Sequence, residues 1–357
     1  MKKSLALLLS AAMTVSLLAG CGGGGTPNAG ISSGAAAPGG AASGGGSNAG
    51  STDLPSYSFQ LGFNTVEDSV RGEMAHVFAD YVEEASNGRV TVEIFANSSL
   101  GSEQEMVEMV KTGSLDFTIP GVTALSNVDK NFGAYGLPFM VSNFDEAHAL
   151  LDGSFGDALK DIAKNNGYKL LSWGDLGTVQ ITNNVRPINS LTDMKGLNMR
   201  CTNEEVSLKT MAALGCATTT LAFSELYLGL SQGVVDGQFN PIDAIYQNSF
   251  TEVQDYLAIV NMYTYGITLL MNDSKFESMD AETQQILTDG ALKAQEAARV
   301  YCANAENEYL QKVKDEGCFV EITTPDTAEF KAATASVYDD FLATCDSRVV
   351  EAINAIR

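Results

Sequence analysis

Apolar and polar residues alternate with a period of two over residues 57–63 and 89–95, the pattern of half-buried strands. Between them Val70, Met74, Val77, Phe78, Tyr81, Val82 and Ala85 recur with the helical period, and Asn87-Gly88 supplies a stop. Ser102, with Glu105 three residues on, predicts a capping box opening a helix that ends at Thr112-Gly113, and 115–119 reads as a buried strand. This β-α-β-α-β order predicts an α/β domain with a largely parallel sheet. Further on, helices are predicted at 143–151, 154–166, 203–214 and 224–231, the last begun by Ser224, with another opened by Pro241. Strands are predicted at 168–173, 178–183, 197–201, 217–221, 265–271 and 319–322. Residues 273–316 read as nearly unbroken helix with a bend near Gly290, and 326–356 as helix. No internal repeat is found. Two α/β units followed by long helices predict two lobes with a cleft between them, where ligands of such folds bind.

The first 56 residues follow a different pattern. Lys2 and Lys3 precede an apolar run from Leu5 to Leu18 that is short for a membrane span and right for a secretory signal. The run ends Leu18-Ala19-Gly20-Cys21, which resembles a bacterial lipoprotein signal, so residues 1–20 are expected to be removed and Cys21 to carry the lipid; an ordinary secretory signal is the alternative. Two or more acyl chains anchor stably. Residues 22–56 contain twelve Gly among thirty-five positions and almost nothing that could enter a core. A Gly-rich coil of that length spans roughly 30–35 Å, so 21–56 is expected to be a tether holding the domain outside the cytoplasm, on a membrane surface.

Charge narrows the chemistry. The chain has 21 Lys+Arg against 44 Asp+Glu, a formal net charge of −23, and loses two lysines with the signal (−23 − 2, or −25). Such a surface repels phosphate backbones, so no nucleic-acid partner is expected. The two histidines, His76 and His148, read as helix residues, and no metal or cofactor is expected. Dinucleotide, P-loop, nucleophile-elbow and zinc-protease motifs are all missing from the sequence, and no base is positioned beside a nucleophile, so the chain is not expected to be an enzyme. Glu83-Glu84, Glu204-Glu205 and Asp339-Asp340 are expected on solvated faces. Besides Cys21 there are Cys201, Cys216, Cys302, Cys318 and Cys345, an odd number in no zinc spacing. A Cys201–Cys216 bridge, or Cys318 with Cys302 or Cys345, stands beside the alternative of reduced thiols.

Segment 193–243 holds the candidate chemistry. Arg200 falls at a strand end shortly before a helix, where a guanidinium can meet an anion and match a carboxylate with two parallel charged hydrogen bonds. The ordered set Asp193-Met194-Lys195-Gly196-Leu197-Asn198-Met199-Arg200, Ala222-Phe223-Ser224-Glu225-Leu226-Tyr227 and Gly233-Val234-Val235-Asp236-Gly237-Gln238-Phe239-Asn240-Pro241 resembles the solute-receptor subunit of TRAP transporters, the tripartite ATP-independent periplasmic systems. The likeness spans about 57–357. It implies a two-lobed fold like that of type II periplasmic binding proteins, with hinge strands and long C-terminal helices. The lobes would comprise 57–176 plus 266–305 and 177–265 plus 306–357.

By the same resemblance, Arg200 would form a salt bridge with a ligand carboxylate, Asn240 would fix that carboxylate, Phe223 would line the cleft, and Asn64 would stand at its mouth. Each has a plainer reading: Asn240-Pro241 a turn, Phe223 a core residue, Asn64 a helix cap. Trp173 is divided between core and pocket, while Asp236 and Gly237 are read as turn formers. Sialic-acid receptors of the family carry a second arginine where this chain has Val179, and a glutamate where it has Gly121. The loss points to a less polar ligand, a monocarboxylate such as a keto, sugar or aromatic acid. The partners implied are a small organic acid, the permease subunits driven by an ion gradient, and the membrane through the lipid. A receptor for an ATP-driven importer or a sensor, a secreted hydrolase, and a surface adhesion protein are the alternatives.

Overall fold

The structure, a computed structural model, describes residues 54–141 and 143–356; the signal, Cys21 and most of the tether lie outside the described residues. The chain from Asp53 onward forms one compact unit. Its first elements are β1 Tyr57–Gly62, α1 Val70–Ala85, β2 Val90–Phe95, α2 Glu103–Thr112, β3 Phe117–Thr118, α3 Phe144–Leu151 and α4 Ser154–Asn165. They are followed by β4 Tyr168–Asn183, β5 Asn198–Cys201, α5 Glu205–Ala213, β6 Ala217–Thr220, α6 Phe223–Ser231, β7 Gly237–Pro241 and α7 Ile242–Gln247. Then come β8 Tyr256–Ala258, β9 Thr264–Asn272, α8 Asp273–Glu277, α9 Ala281–Asp315, β10 Glu321–Thr323, α10 Ala328–Leu342 and α11 Ser347–Asn354. Among the described residues, no helix is long and apolar enough to cross a membrane.

The local signals explain many of these boundaries. Ser102 and Glu105 form the capping box of α2, and Gly113 closes it at φ 77°. α1 is capped by Ser69, whose Oγ accepts from the Gly72 N–H, so Asn64 is not its cap. α6 starts at Phe223 rather than Ser224, with the Glu225 carboxylate accepting from the Ala222 N–H. Residues 273–316 are interrupted at Ser278–Asp280, where Asp280 caps a fresh helix. Gly290 lies inside that helix against α1: an added Cβ would sit 3.0 Å from Val82 Cγ2. The five described cysteines are unbridged, and burial pushes the Cys201 and Cys216 thiols up to about 12.

The sheet is mixed rather than largely parallel. Its order is β2-β1-β3-β9-β4-β7-β5-β6, with β8 added to β4 and β10 to β8. β4 is one 16-residue strand where two were expected. Its first part pairs antiparallel with β9; its last residues pair with β7 and β8. At about 3.3 Å per residue it runs roughly 50 Å through both lobes. Register shifts beside Leu170 and Asp175, and Gly177 at φ 127°, bend it near the crossing.

Each half of the sheet is covered on both faces. The first half packs between a core of α1 and α9 with Phe59, Phe78 and Phe117, and a second built by α2–α4 with Phe132 and Phe155. The second half packs between the Val179–Met199–Met211 core and one formed by α6, α7 and the end of α9. The C-terminal segment departs from its expected place in the second lobe. β10 does pair there, but Phe341, Val349 and Ile353 join the core with Phe132 and Phe155, and Arg348 pairs with Asp161 of α4 at 2.8 Å. α10 therefore straps the lobes together, with Phe330 in the second core and Phe341 in the first.

The Gly233–Pro241 motif is structural at its start. The Asp236 carboxylate accepts from the Asn198 N–H at 2.8 Å and so fixes the beginning of β5. Gly237 forms no turn: it opens β7, wedged between β4 and β5, where an added Cβ would lie 2.2 Å from the Thr182 carbonyl oxygen. Gly237→Ala is expected to destabilise the fold by roughly 2–3 kcal/mol, read as a lower urea midpoint at unchanged m; an unchanged midpoint would refute the close-approach account.

Asp243, in the first turn of α7 near Gly177, is 3% exposed and its carboxylate has no cation within ion-pair distance and no side-chain hydrogen bond among the described residues. Burial pushes its pKa up to about 7, with the Ala244 N–H and Arg71 pulling the other way. The folded state thus holds a proton that the unfolded chain releases above pH 3.8. The group's contribution to stability falls as pH rises from there to about 7 and is flat beyond. Urea unfolding of Asp243→Asn against the parent should show a difference that grows in the variant's favour over that window, to on the order of 4 kcal/mol at pH 8. A difference independent of pH would contradict this.

Candidate functional site

Arg200 is held by three neighbouring strands. β5 pairs parallel with β6 in register Arg200–Thr219 and touches β7 at Met199–Gly237. The side chain is 3% exposed. Its Nε donates to the Leu221 carbonyl oxygen at 3.0 Å, just past the end of β6, and its Nη2 has no partner. No carboxylate among the described residues lies within ion-pair distance of it. Burial pulls its pKa below the usual arginine value, with Tyr265, Glu204 and Cys201 acting in the opposite direction, yet an arginine stays charged.

Arg71 of α1 is the instructive contrast. It is equally buried, but Nη2 meets Glu103 Oε1 at 3.0 Å and Nε donates to the Ile119 carbonyl at 2.9 Å. Its charge is answered within the protein; that of Arg200 is not.

Arg200 lines two adjoining chambers of one cleft. The outer, about 130 Å³, is bounded by Asn64, Ser102, Gln104, Asn203, Leu221 and Phe223 among others. The inner, about 30 Å³, adds Arg71, Asn240, Tyr263 and Tyr265. Asn64, Glu103, Thr202, Glu204 and Phe223 border both. The wall therefore comes from both lobes, with Asn64 and Glu103 on one side and Arg200, Phe223 and Asn240 on the other.

The structure brings together four of the five residues singled out in the sequence. Asn64 lies between β1 and α1, 9% exposed, with its Oδ1 unpartnered. Asn240 belongs to β7 opposite Gln180, so Asn240-Pro241 is strand rather than turn. Its Nδ2 donates to Gln238 Oε1, while Gln238 Nε2 donates to Thr182 Oγ1 and that hydroxyl to Gln254 Oε1. This buried relay fixes the amide orientation and leaves one Nδ2 proton uncommitted. Phe223 serves as wall and packing at once, its ring meeting Phe250 edge-on at 5.7 Å. Trp173 is not there. It is 1% exposed on β4 opposite Thr268, before the strand reaches the crossing, and packs into the core with Phe155.

Two carboxylates escaped the sequence reading. Glu103 was visible only as a first-turn acid of α2; its Oε1 accepts from Arg71 and from the Gly121 N–H. Glu204, expected on a solvated face with Glu205, is 2% exposed, whereas Glu205 is exposed and pairs with Lys209 at 2.7 Å. Burial raises the Glu204 pKa, as does Glu103, against hydroxyl groups of Thr123, Thr202 and Ser207. Burial also raises the phenols of Tyr263 and Tyr265, which therefore stay neutral donors. Gly121 is explained by Tyr265, whose hydroxyl would be 2.3 Å from an added Cβ. Val179 faces the second lobe's core and leaves no cation at that position. The cleft can thus receive an anion at Arg200 and offers amides, phenols and carboxyls to the rest of a small polar molecule.

The bacterial extracellular solute-binding protein family 7, DctP, matches residues 61–344. A solute-binding protein of Verminephrobacter eiseniae is 30% identical over 82% of this chain and 87% of its own length. The 2,3-diketo-L-gulonate-binding periplasmic protein of Escherichia coli is 27% identical over 81% of this chain and 88% of its own. The crystal structure of a sugar acid binding protein from Advenella mimigardefordensis, in complex with galactonate, superposes with a TM-score of 0.82 at 25% identity, covering 85% of this chain and 99% of that one. Over nearly all its described length, and in the fold that forms its cleft, this chain belongs to the DctP family of TRAP-type solute receptors, which are binding proteins for transporters and not enzymes.

Proposed function

We propose that this receptor captures a monocarboxylate in the cleft, with the ligand carboxylate on Arg200. The observation that carries the reading is the buried guanidinium with a free Nη2 and no carboxylate to answer it. A buried charge left alone is costly, and a bound anion relieves it. Asn240 adds an amide donor to the same carboxylate, Phe223 an apolar wall, and Asn64 a polar group from the opposite lobe. The single unanswered cation favours one carboxylate over two. Galactonate and 2,3-diketo-L-gulonate, the ligands named for two relatives, each carry one carboxylate on a polar chain, and a sugar or keto acid is the class we assign here.

The lobes, 57–176 with 266–305 and 177–265 with much of the remainder, would close by bending β4 and β9 where they cross. Closure excludes water and strengthens the charged hydrogen bonds to the ligand. The chain would then hand the acid to permease subunits driven by an ion gradient, while lipid on Cys21 and the Gly-rich tether keep it at the extracytoplasmic membrane surface.

Calorimetry on the acid that gives the largest thermal shift in an organic-acid screen tests the site. Arg200→Ala should weaken binding at least tens-fold, since truncating one partner of a buried charge pair costs about 2–5 kcal/mol. Arg200→Lys should recover only part, because the planar fork is lost. Unchanged affinity in Arg200→Ala removes the assigned role. For the anchor, Cys21→Ser should shift the protein from the membrane fraction to the soluble one; retention on the membrane would refute lipidation at this residue.

A further inference from the structure

Glu204 stands four residues after Arg200, between β5 and α5, and borders both chambers of the cleft. Its Oε2 accepts from Ser207 Oγ at 3.2 Å; its Oε1 is buried without a partner. The neighbouring cations do not answer it: Arg71 is bound to Glu103, and no ion pair joins Glu204 to Arg200. The charged and titratable groups facing it are Glu103 from α2, Arg200 and Cys201 from β5, and Tyr263 and Tyr265 from β9. The hydroxyls of Thr123, Thr202 and Ser207 complete the surroundings. A buried carboxyl oxygen with no cation and no well-formed hydrogen bond to it, only the nearby hydroxyls of Thr123 and Thr202, stands in the wall of the cavity that holds an unanswered guanidinium and has room for a group on the ligand.

We propose that Glu204 determines the specificity of the cleft, pairing through Oε1 with a hydroxyl of the bound acid and turning away a second carboxylate. The proposal rests on the assignment of the ligand carboxylate to Arg200 and extends it to the other end of the molecule. A hydroxyl both donates and accepts, so it can pair with Glu204 whether that group is ionised or protonated. A second carboxylate accepts only, and can pair with Glu204 only when the latter carries a proton. Glu103, beside it, adds like charge. Repulsion of this kind is a direct means of discrimination. The ligand class is therefore hydroxy monocarboxylates, and discrimination against dicarboxylates should sharpen as pH rises and Glu204 ionises.

Two matched pairs read this out, D-galactonate with galactarate and D-erythronate with meso-tartrate. Each pair differs only by a terminal hydroxymethyl group against a carboxylate. Calorimetry on the full chain at pH 8 should show the hydroxy monocarboxylate favoured at least about tenfold in whichever pair binds, the scale of one hydrogen bond to a charged group. Glu204→Gln, nearly isosteric, should shrink that ratio about tenfold or more, chiefly by tighter dicarboxylate binding. Glu204→Asp should keep the preference, and melting curves establish that both variants fold. Lowering the pH stepwise from 8 should shrink the ratio in the parent as Glu204 takes up a proton and leave it unchanged in Glu204→Gln, which a purely structural role for Glu204 would not produce. A ratio indifferent to Glu204→Gln, a parent that prefers the dicarboxylates at pH 8, or binding of neither pair overturns the proposal. Arg200→Ala, measured alongside, separates the readings: full affinity there refutes the carboxylate site itself, whereas loss of affinity with an unmoved ratio in Glu204→Gln refutes only the role of Glu204.

Discussion

A guanidinium held inside a protein without a counter-charge is the constraint around which this receptor is arranged. Desolvating such a cation is unfavourable, and the fold compensates only in part, by giving Nε of Arg200 the carbonyl of Leu221. The paired Arg71–Glu103 bridge in the same cleft wall shows that the protein neutralises one of its two buried arginines from within. The other is left with a carbonyl and no carboxylate.

The surroundings of Arg200 hold that incomplete site in place. Asp236 ties the start of β5, Gly237 lets β7 approach β4 closely, and the relay from Asn240 through Gln238 and Thr182 to Gln254 orients an amide beside the cavity. These groups are buried and bonded, so their geometry exists before any ligand arrives. Across the cleft, Asn64 and Glu103 belong to the other half of the sheet. β4 runs through both halves of the sheet, and the long helices α9 and α10 contribute to the cores of both.

The acids of the cleft temper its positive character. Glu103 is consumed by Arg71, and Glu204 is kept from water without a cation of its own. Tyr265 fills the space that a side chain at position 121 would need. The cleft is thus polar and close to balanced in charge, with two arginines and two glutamates in its lining, of which only Arg71 and Glu103 are paired with each other.

The local signals in the sequence determined much of the secondary structure. The capping box at Ser102, the glycine stop at 113, the alternating strands and the helix of α1 depend on neighbours within a few residues, and those are written in order along the chain. The motif around Arg200, Phe223 and Asn240 marked one wall of the cleft for the same reason: its parts lie within forty-odd residues. Tertiary structure alone decided the rest. Trp173 went to the core because β4 runs on as a single strand and places it before the crossing. Glu204 went inside because the other lobe covers it, while Glu205 turned outward on the next helical step. The meeting of Arg71 with Glu103, of Gly121 with Tyr265, and of α11 with the first lobe joins residues between 32 and 187 positions apart. No periodicity in sequence encodes such distances; they follow from how a mixed sheet is threaded and which faces it buries.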